Sequence, residues 1–548
     1  MKNRKWIMAI LLPCALLLMN NSLAQEKINW GKLQTSTKKS YYPEILGEDD
    51  DNIYIYADVG NASMIESFKK GDFTRKLSKE ITPQKIDGNK CKIEQVSYVD
   101  GKFYVFISYY DKKAKVSNIF VYNLDAKTGA KLGKEKKLFE VEVEKKRRRG
   151  NFNVTVSKDR TKMLVNHIAY YKSQKKWKDK YRLLDKDLTV LLEKEESIGR
   201  GDLRYTSSNH KIDEDGSIFF LKKYFSNAGA GDNLYIVSFD ANRDYEKWEE
   251  EISMTDLDVQ SSTSVIKDLT YIINDKDELV LCGYYSENTQ QGVKKNGKEK
   301  RPRMEFVGCF YMSIDKKSKE TKNVKINRFD KSFNDQFRKK KDVAKDKDVK
   351  IPDSFHDIQL IPKADGGMIM IGELYIYIHN YNDDGSTYHY ELFGDLIVLN
   401  MDPTGHLLWA NRIPKKQVFW WQRTPKGMVI ASTGVSALVP PNWRITQYFS
   451  YQASLAKDQL VILFNDNPKN TLSTNDATRM KPLKKINNSA VTSFAIDLQS
   501  GIKKEKLFMG GKDFEVHYKP MVKYQHDQNS ATYTFGMKKK KFKYGTLE

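Results

Sequence analysis

The sequence predicts an all-β chain folded as a single β-propeller of four-stranded blades. An apolar strand, an acidic or Asn/Gly turn and a second β-rich run recur about eight times along the chain. Aromatic residues make up 12% of it, with 31 Tyr, a composition suited to half-buried pleated surfaces. Each unit is too short to bury its own faces, so neighbouring units must stack around a ring.

The phrase is plainest in residues 91–111 (CKIEQVSYVDGKFYVFISYYD) and 118–129 (NIFVYNLDAKTG). There Asp100-Gly101 turns one strand into the next, and the Asp125 to Gly129 segment turns a third into a fourth. Strand pairs of the same layout fall at residues 41–56, 91–110, 151–171, 203–225, 265–285, 355–375, 447–465 and 516–535. Their turns are rich in Asp, Asn and Gly, which tolerate positive φ. Third strands end in acidic corners at Asp125, Asp185, Asp240, Asp315, Asp402 and Asp497. The runs after those corners, such as 131–139, 189–198 and 321–329, are charged and alternating, as an outer strand that must repel edge pairing requires.

The last unit has residues for three strands only, while residues 28–33 (INWGKL) supply a β-like run near the other end. An N-terminal strand completing the last blade closes the ring without an open edge. Eight blades is the primary count and seven the alternative.

Residues 396–409 (LIVLNMDPTGHLLW) resemble the repeat of pyrroloquinoline-quinone-type propellers, in which Asp, Gly and Trp link two outer strands. The corners at 125–129 and 497–501 are similar but lack the Trp. The resemblance implies a propeller architecture, most like secreted bacterial propellers of unassigned activity. It does not extend to quinone binding, since no cofactor-binding residues can be matched, and no cofactor is expected.

Residues 1–24 read as a signal peptide: Lys2, Arg4 and Lys5 precede an apolar core from Ile7 to Met19 and a small-residue cleavage site at Ser22-Leu23-Ala24. Residues 25–548 then form the propeller domain, exported to the periplasm, the outer membrane surface or the medium. The apolar core is shorter than the roughly 20 residues a membrane span needs. Leu11-Leu12-Pro13-Cys14 loosely resembles a lipobox, but Pro before the Cys and apolar residues after it argue against lipidation. No later segment approaches a membrane span.

The formal net charge is +22, which favours anionic partners. The densest basic runs are 145–149 (KKRRR), 339–341 and 538–541. They are read either as solvated outer strands and loops or as contacts to anionic lipid, glycan or nucleic acid, with nucleic acid ranked last because export removes the chain from most of it. Cys282 and Cys309 fall on successive strands whose connection contains Asn296-Gly297, so they meet diagonally. A disulfide and two packed thiols are both compatible with that placement.

Two insertions interrupt the repeat. Residues 331–353 are rich in Lys and Asp and are expected to form a loop on one face. Residues 417–443 carry Phe419, Trp420, Trp421 and Trp443, the candidate binding residues, in a connection between blades. Aromatic faces suit sugar rings, prolines and partner side chains. The other reading makes Val418 to Trp421 the start of an ordinary inner strand. Residues 380–391 (NYNDDGSTYHYE) match the spacing of a calcium loop with few anionic ligands, and a polar hairpin explains the same letters, so no metal is expected.

Catalysis leaves little trace. The eight His lack metal-ligand spacing, and neither a nucleophile elbow nor a phosphate-cradling glycine loop is present. The reading is therefore an exported, envelope-associated binding or assembly module with a protein or glycan partner. The alternatives are a glycosidase-like propeller hydrolase with acids in its central funnel and a structural envelope component.

Overall fold

A computed structural model describes residues 28–547, apart from 199–203, 226–232, 254–263, 289–293, 296–297, 300–303, 339–342, 344–350, 352–353, 424–428, 432–446, 457, 471–479, 510–514 and 526–531. The leader and Trp443 lie outside the described residues.

Within them the chain is all-β, built largely of four-stranded antiparallel meanders as in a β-propeller. Eight sheets have four strands or more, taken here in chain order: residues 41–81, 92–142, 151–198, 204–252, 264–328, 355–431, 452–509, and 517–547 with Ile28–Trp30. The second strand pair of the second sheet shows why. Lys102–Asp111 (KFYVFISYYD) and Val116–Asp125 (VSNIFVYNLD) are buried on both faces, so their apolar residues run almost unbroken. Fourth strands such as Val190–Ile198 (VLLEKEESI) are exposed on alternate residues and carry the charges predicted for an outer edge.

Apolar residues fill the spaces between sheets. One cluster joins the first sheet to the second, and others join the second to the third, the third to the fourth and so on to the eighth. Tyr41, Ile55 and Phe68 of the first sheet also pack with Phe535, Phe542 and Tyr544 of the eighth. Ile28–Trp30 pairs antiparallel with Lys541–Leu547, with Ile28 opposite Leu547 and Trp30 opposite Gly545.

The acidic corners have a shared physical role. Asp125 accepts from the backbone N–H of Lys127 and Thr128, Asp315 from Lys317 and Ser318, Asp402 from Thr404 and His406, and Asp497 from Ser500. Side-chain bonds from Thr128 to Asp125, from Lys322 to Asp315 and from Thr404 to Asp402, with these backbone bonds, hold the three carboxyls below the usual carboxylate range. Each corner ends on a left-handed residue: Gly129, Leu188, Tyr245, Lys319, Gly405 or Gly501. At five of the six, all but Lys319, the fourth strand of the preceding sheet reaches over and bonds that residue's carbonyl. Lys79 donates to Gly129 O at 2.6 Å, Lys136 to Leu188 O at 2.7 Å and Lys194 to Tyr245 O at 2.9 Å. Asn327 donates to Gly405 O at 2.8 Å and Asn411 to Gly501 O at 2.7 Å. Trp409, the residue that prompted the quinone-propeller comparison, adds an indole bond to Leu498 O at 2.9 Å and covers Gly501, where a Cβ would sit 2.7 Å from its ring. Its role here is to staple one sheet to the next.

One open alternative is decided and one expectation is corrected. Cys282 and Cys309 are free, buried thiols; Cys282 lies opposite Tyr311 and Cys309 opposite Tyr284, the diagonal placement expected, and they share one apolar cluster. The insertion at 331–353 begins as a packed element: Asp330 caps a short helix, Lys331–Asp335, whose Phe333 is buried against Phe329 and Phe337. Those aromatic residues, unremarked among the surrounding charges, are what anchor it.

Candidate functional site

In the sixth sheet, Met368–Tyr381 and Thr387–Met401 run for 14 and 15 residues, well beyond their first-strand partner Phe355–Pro362. Their near halves belong to the sheet. At Glu373 and Tyr375 the register shifts, and beyond Leu374, which faces Phe355, the hairpin continues without the first strand. Gln417–Arg423 joins it there, pairing with Thr387–Phe393. The insertion's aromatic run is thus neither a loop nor an inner strand; it is the third strand of a projecting sheet.

Alternation along these strands sorts the side chains onto two faces. One carries Tyr377, His379 and Tyr381, the cross-strand His389, and Trp421. Their rings form a continuous stack: Trp421 on His389 at 3.3 Å and 8°, His389 on His379 at 4.1 Å and 16°, and His379 against Tyr381 at 4.4 Å. Tyr377 bonds His389 Nδ1 at 2.6 Å, and Thr387 Oγ1 lies 3.2 Å from its Nε2. Burial, with His379 alongside, pushes the His389 imidazole down to about 4. The opposite face carries Ile378, Tyr390 and Trp420, with Trp420 stacked on Tyr388 at 5.8 Å. The tip is open: Tyr381 is 78% exposed, Tyr377 50% and Ile378 44%.

Of the candidate binding residues, Trp420 and Trp421 are half-buried on opposite faces of this sheet, while Phe419 is buried against Phe449 at its root and offers no surface. Tyr377, His379, Tyr381 and His389 were missed. The available signal was the alternating YIYIHNY run between Gly372 and Tyr381, which extends this second strand to 14 residues against 7 to 11 in the other sheets. The calcium-type spacing is resolved as a hairpin turn. Asn382 and Ser386 close it, Asp384 Oδ1 accepts from Ser386 N at 2.8 Å, and Gly385 takes φ 76°. Glu391 sits up the strand, bonded to Tyr375 at 3.0 Å. Among the described residues no cluster of three His, Cys, Asp or Glu is arranged to hold a metal.

A second feature lies where the first strands end. A cavity of about 1380 Å³ is bounded by residues of several sheets, among them Lys211, Asp213, Asp277, Lys316 and Gln359. Lys316 bonds both Asp213 and Asp277, the latter at 2.8 Å, and Glu214, Asp215, Asp240 and Asp275 also line the cavity.

No protein-family model matches the chain, and no curated protein does. Among solved structures it is similar to the Dos1 propeller, at 8% identity and a TM-score of 0.41 over 95% of each chain. It is similar also to polysaccharide lyase Uly1, at 10% identity and a TM-score of 0.36 over 95% of this chain and 99% of that one. A prolyl oligopeptidase B from Galerina marginata gives 12% identity and a TM-score of 0.35 over 93% of this chain and 55% of the other. Likenesses this distant carry no argument about activity; the reading rests on the sheets and side chains themselves.

Proposed function

We propose that this chain is an exported, eight-bladed propeller, closed by its N-terminal strand, that binds a protein or glycan of the cell envelope through the projecting aromatic sheet. The observation that carries the reading is the ring stack from Trp421 to Tyr381, held on a hairpin that leaves the sheet and ends in exposed tyrosines. Stacked rings on paired strands present large apolar area at small entropic cost, the property that makes Trp and Tyr binding hot spots.

Tyr377→Ala/Tyr381→Ala and Trp421→Ala test it. Capture of the partner from native envelope fractions should fall at least tenfold in both, while the exposed double variant keeps the wild-type unfolding curve. Undiminished capture by both variants would remove the proposal.

Closure is tested separately by deleting residues 25–35. Ile28 and Trp30 cover Leu547 and Gly545, and loss of that cover plus an opened edge should cost about 3 kcal/mol in chemical denaturation. Backbone amides of Lys541–Leu547 should lose their protection from hydrogen exchange. An unchanged denaturation curve with protection intact would refute closure.

A further inference from the structure

We infer that the basic turn at residues 145–149 forms a binding pocket for an acidic saccharide, a site distinct from the aromatic sheet. The run that composition alone leaves as a solvated patch is held in a defined shape. Lys146–Arg148 forms a single 3-10 turn. Arg149 O bonds His167 Nε2 at 2.7 Å, and the next residue, Gly150, takes φ 70° where a Cβ would collide with Ile168 O and the His167 ring. Glu144, the acid beside the turn, is spent outside the pocket: it pairs with Arg148 at 3.1 Å and accepts from the backbone N–H of Lys172 and Ser173.

The turn walls a pocket of about 690 Å³ between the third and fourth sheets, in the size range of small-ligand sites. Its lining has three chemical parts. Lys146, Arg147, Arg148 and Arg149 form one side, and no Asp or Glu is among the lining residues. Among the described residues, none of Lys146, Arg147 and Arg149 has a carboxylate within ion-pair distance. Tyr170 and Trp177, paired across two strands with rings 5.1 Å apart, form a second side. Asn151, Asn153 and Thr206 supply amides and a hydroxyl. The floor is rigid: Tyr205 and Ser207 donate to Asp179 at 3.0 and 2.8 Å, which lies behind the lining and is fully buried.

Guanidinium groups match carboxylates and sulfate esters in a planar, bidentate fashion. Aromatic rings take the apolar face of a pyranose, and amides with hydroxyls answer its OH groups. A sugar carrying an acid group uses all three parts of this lining. A phosphate backbone or a lipid headgroup uses the basic side alone. The pocket opens where the first strands begin, at Asn151 and Tyr205, as the aromatic sheet projects past the start of Phe355–Pro362. A charged polysaccharide lying on that side can therefore meet both.

Calorimetric titration tests the pocket, with trigalacturonate as the acidic probe, maltotriose as the neutral one, and sodium sulfate, a ten-nucleotide single-stranded DNA and phosphatidylglycerol vesicles as the other anions. Trigalacturonate should bind with an affinity that falls as salt rises. Arg147→Ala/Arg149→Ala should weaken it at least tenfold, and Asn153→Asp, which adds a charge at an exposed position, should do the same. Tyr377→Ala/Tyr381→Ala should leave it within twofold of wild type, which separates this site from the aromatic sheet. Equal binding of maltotriose, tighter binding of DNA, vesicles or sulfate, or unchanged affinity in both pocket variants would overturn the inference.

Discussion

Lowering the pH from 7 to 4.5 is expected to strip on the order of 5 kcal/mol from the folding stability of this protein. The source is two buried histidines. His167 is 1% exposed and His517 7%, and burial pushes each imidazole from an ordinary 6.5 down to about 4. The geometry explains the direction. In each ring one nitrogen, Nδ1 of His167 and Nε2 of His517, is buried without a partner. The neutral ring tolerates that; an imidazolium, with two N–H donors and a charge, does not. Half-buried His210, stacked on Phe220 at 5.1 Å, is pushed the same way. Between about pH 6.5 and 4 the unfolded chain binds these protons and the folded chain does not. Stability from this source is therefore complete above pH 6.5 and is lost as the pH falls toward 4. Urea titrations at pH 7.5, 6, 5 and 4.5 measure the slope, and His167→Gln with His517→Gln should lessen it, with His210 and His389 carrying part of what is left. A stability that stays level across that range would contradict the assignment.

Much of the architecture was legible because each sheet repeats the same local chemistry. Asp at the corners is readable as a turn residue, and the six corners found in the sequence are the places where the third strands turn. Their docking was not legible. The partner at five of the corners is a Lys or Asn on the preceding outer strand, some 50 to 90 residues earlier, and such residues look like any solvated polar side chain. Trp409 stood out only because its ring adds a second bond, to Leu498 O, beside the one Asn411 makes to Gly501 O. The candidate site was half legible for a similar reason. Trp420 and Trp421 drew attention as bulky neighbours, whereas Tyr377, His379 and Tyr381 sat inside an ordinary strand pattern. Their significance lies in the absence of the first strand beside them, a tertiary fact. Phe419 shows the converse: it shares the letters of its neighbours, but one step toward the root of the hairpin places it under Phe449.

The projecting sheet needs a root that resists bending, and the chain builds it from a buried ion pair whose disruption should be the costliest single change in this region. Lys415 lies on the link between Leu407–Ile413 and Gln417–Arg423, and Glu373 lies where Met368–Tyr381 leaves the sheet. Their side chains are 0% and 2% exposed and bonded to each other. Ser450 Oγ donates to the other Glu373 oxygen at 2.7 Å, and Gln417 Oε1 accepts from Lys415 at 3.1 Å and from Ser450 N at 2.8 Å. Gln417 Nε2 carries the network on to Asn465 O at 2.8 Å, in the seventh sheet. Burial pulls the Lys415 ammonium below its ordinary value while Glu373 opposes that fall, so the pair depends on both members. Lys415→Met leaves a carboxylate in an apolar site and should cost about 3 to 5 kcal/mol, measured by chemical denaturation. The double variant Lys415→Met/Glu373→Leu removes the orphaned charge and should recover most of that loss, because an apolar pair of similar volume replaces two desolvated ions. Its stability restored, the double variant should still capture the partner less well, since Gln417 and Ser450 then lose the groups that fix the angle of the aromatic strands. A single variant costing under about 1 kcal/mol, or a double variant with full capture, would show that the network does not set the position of the site.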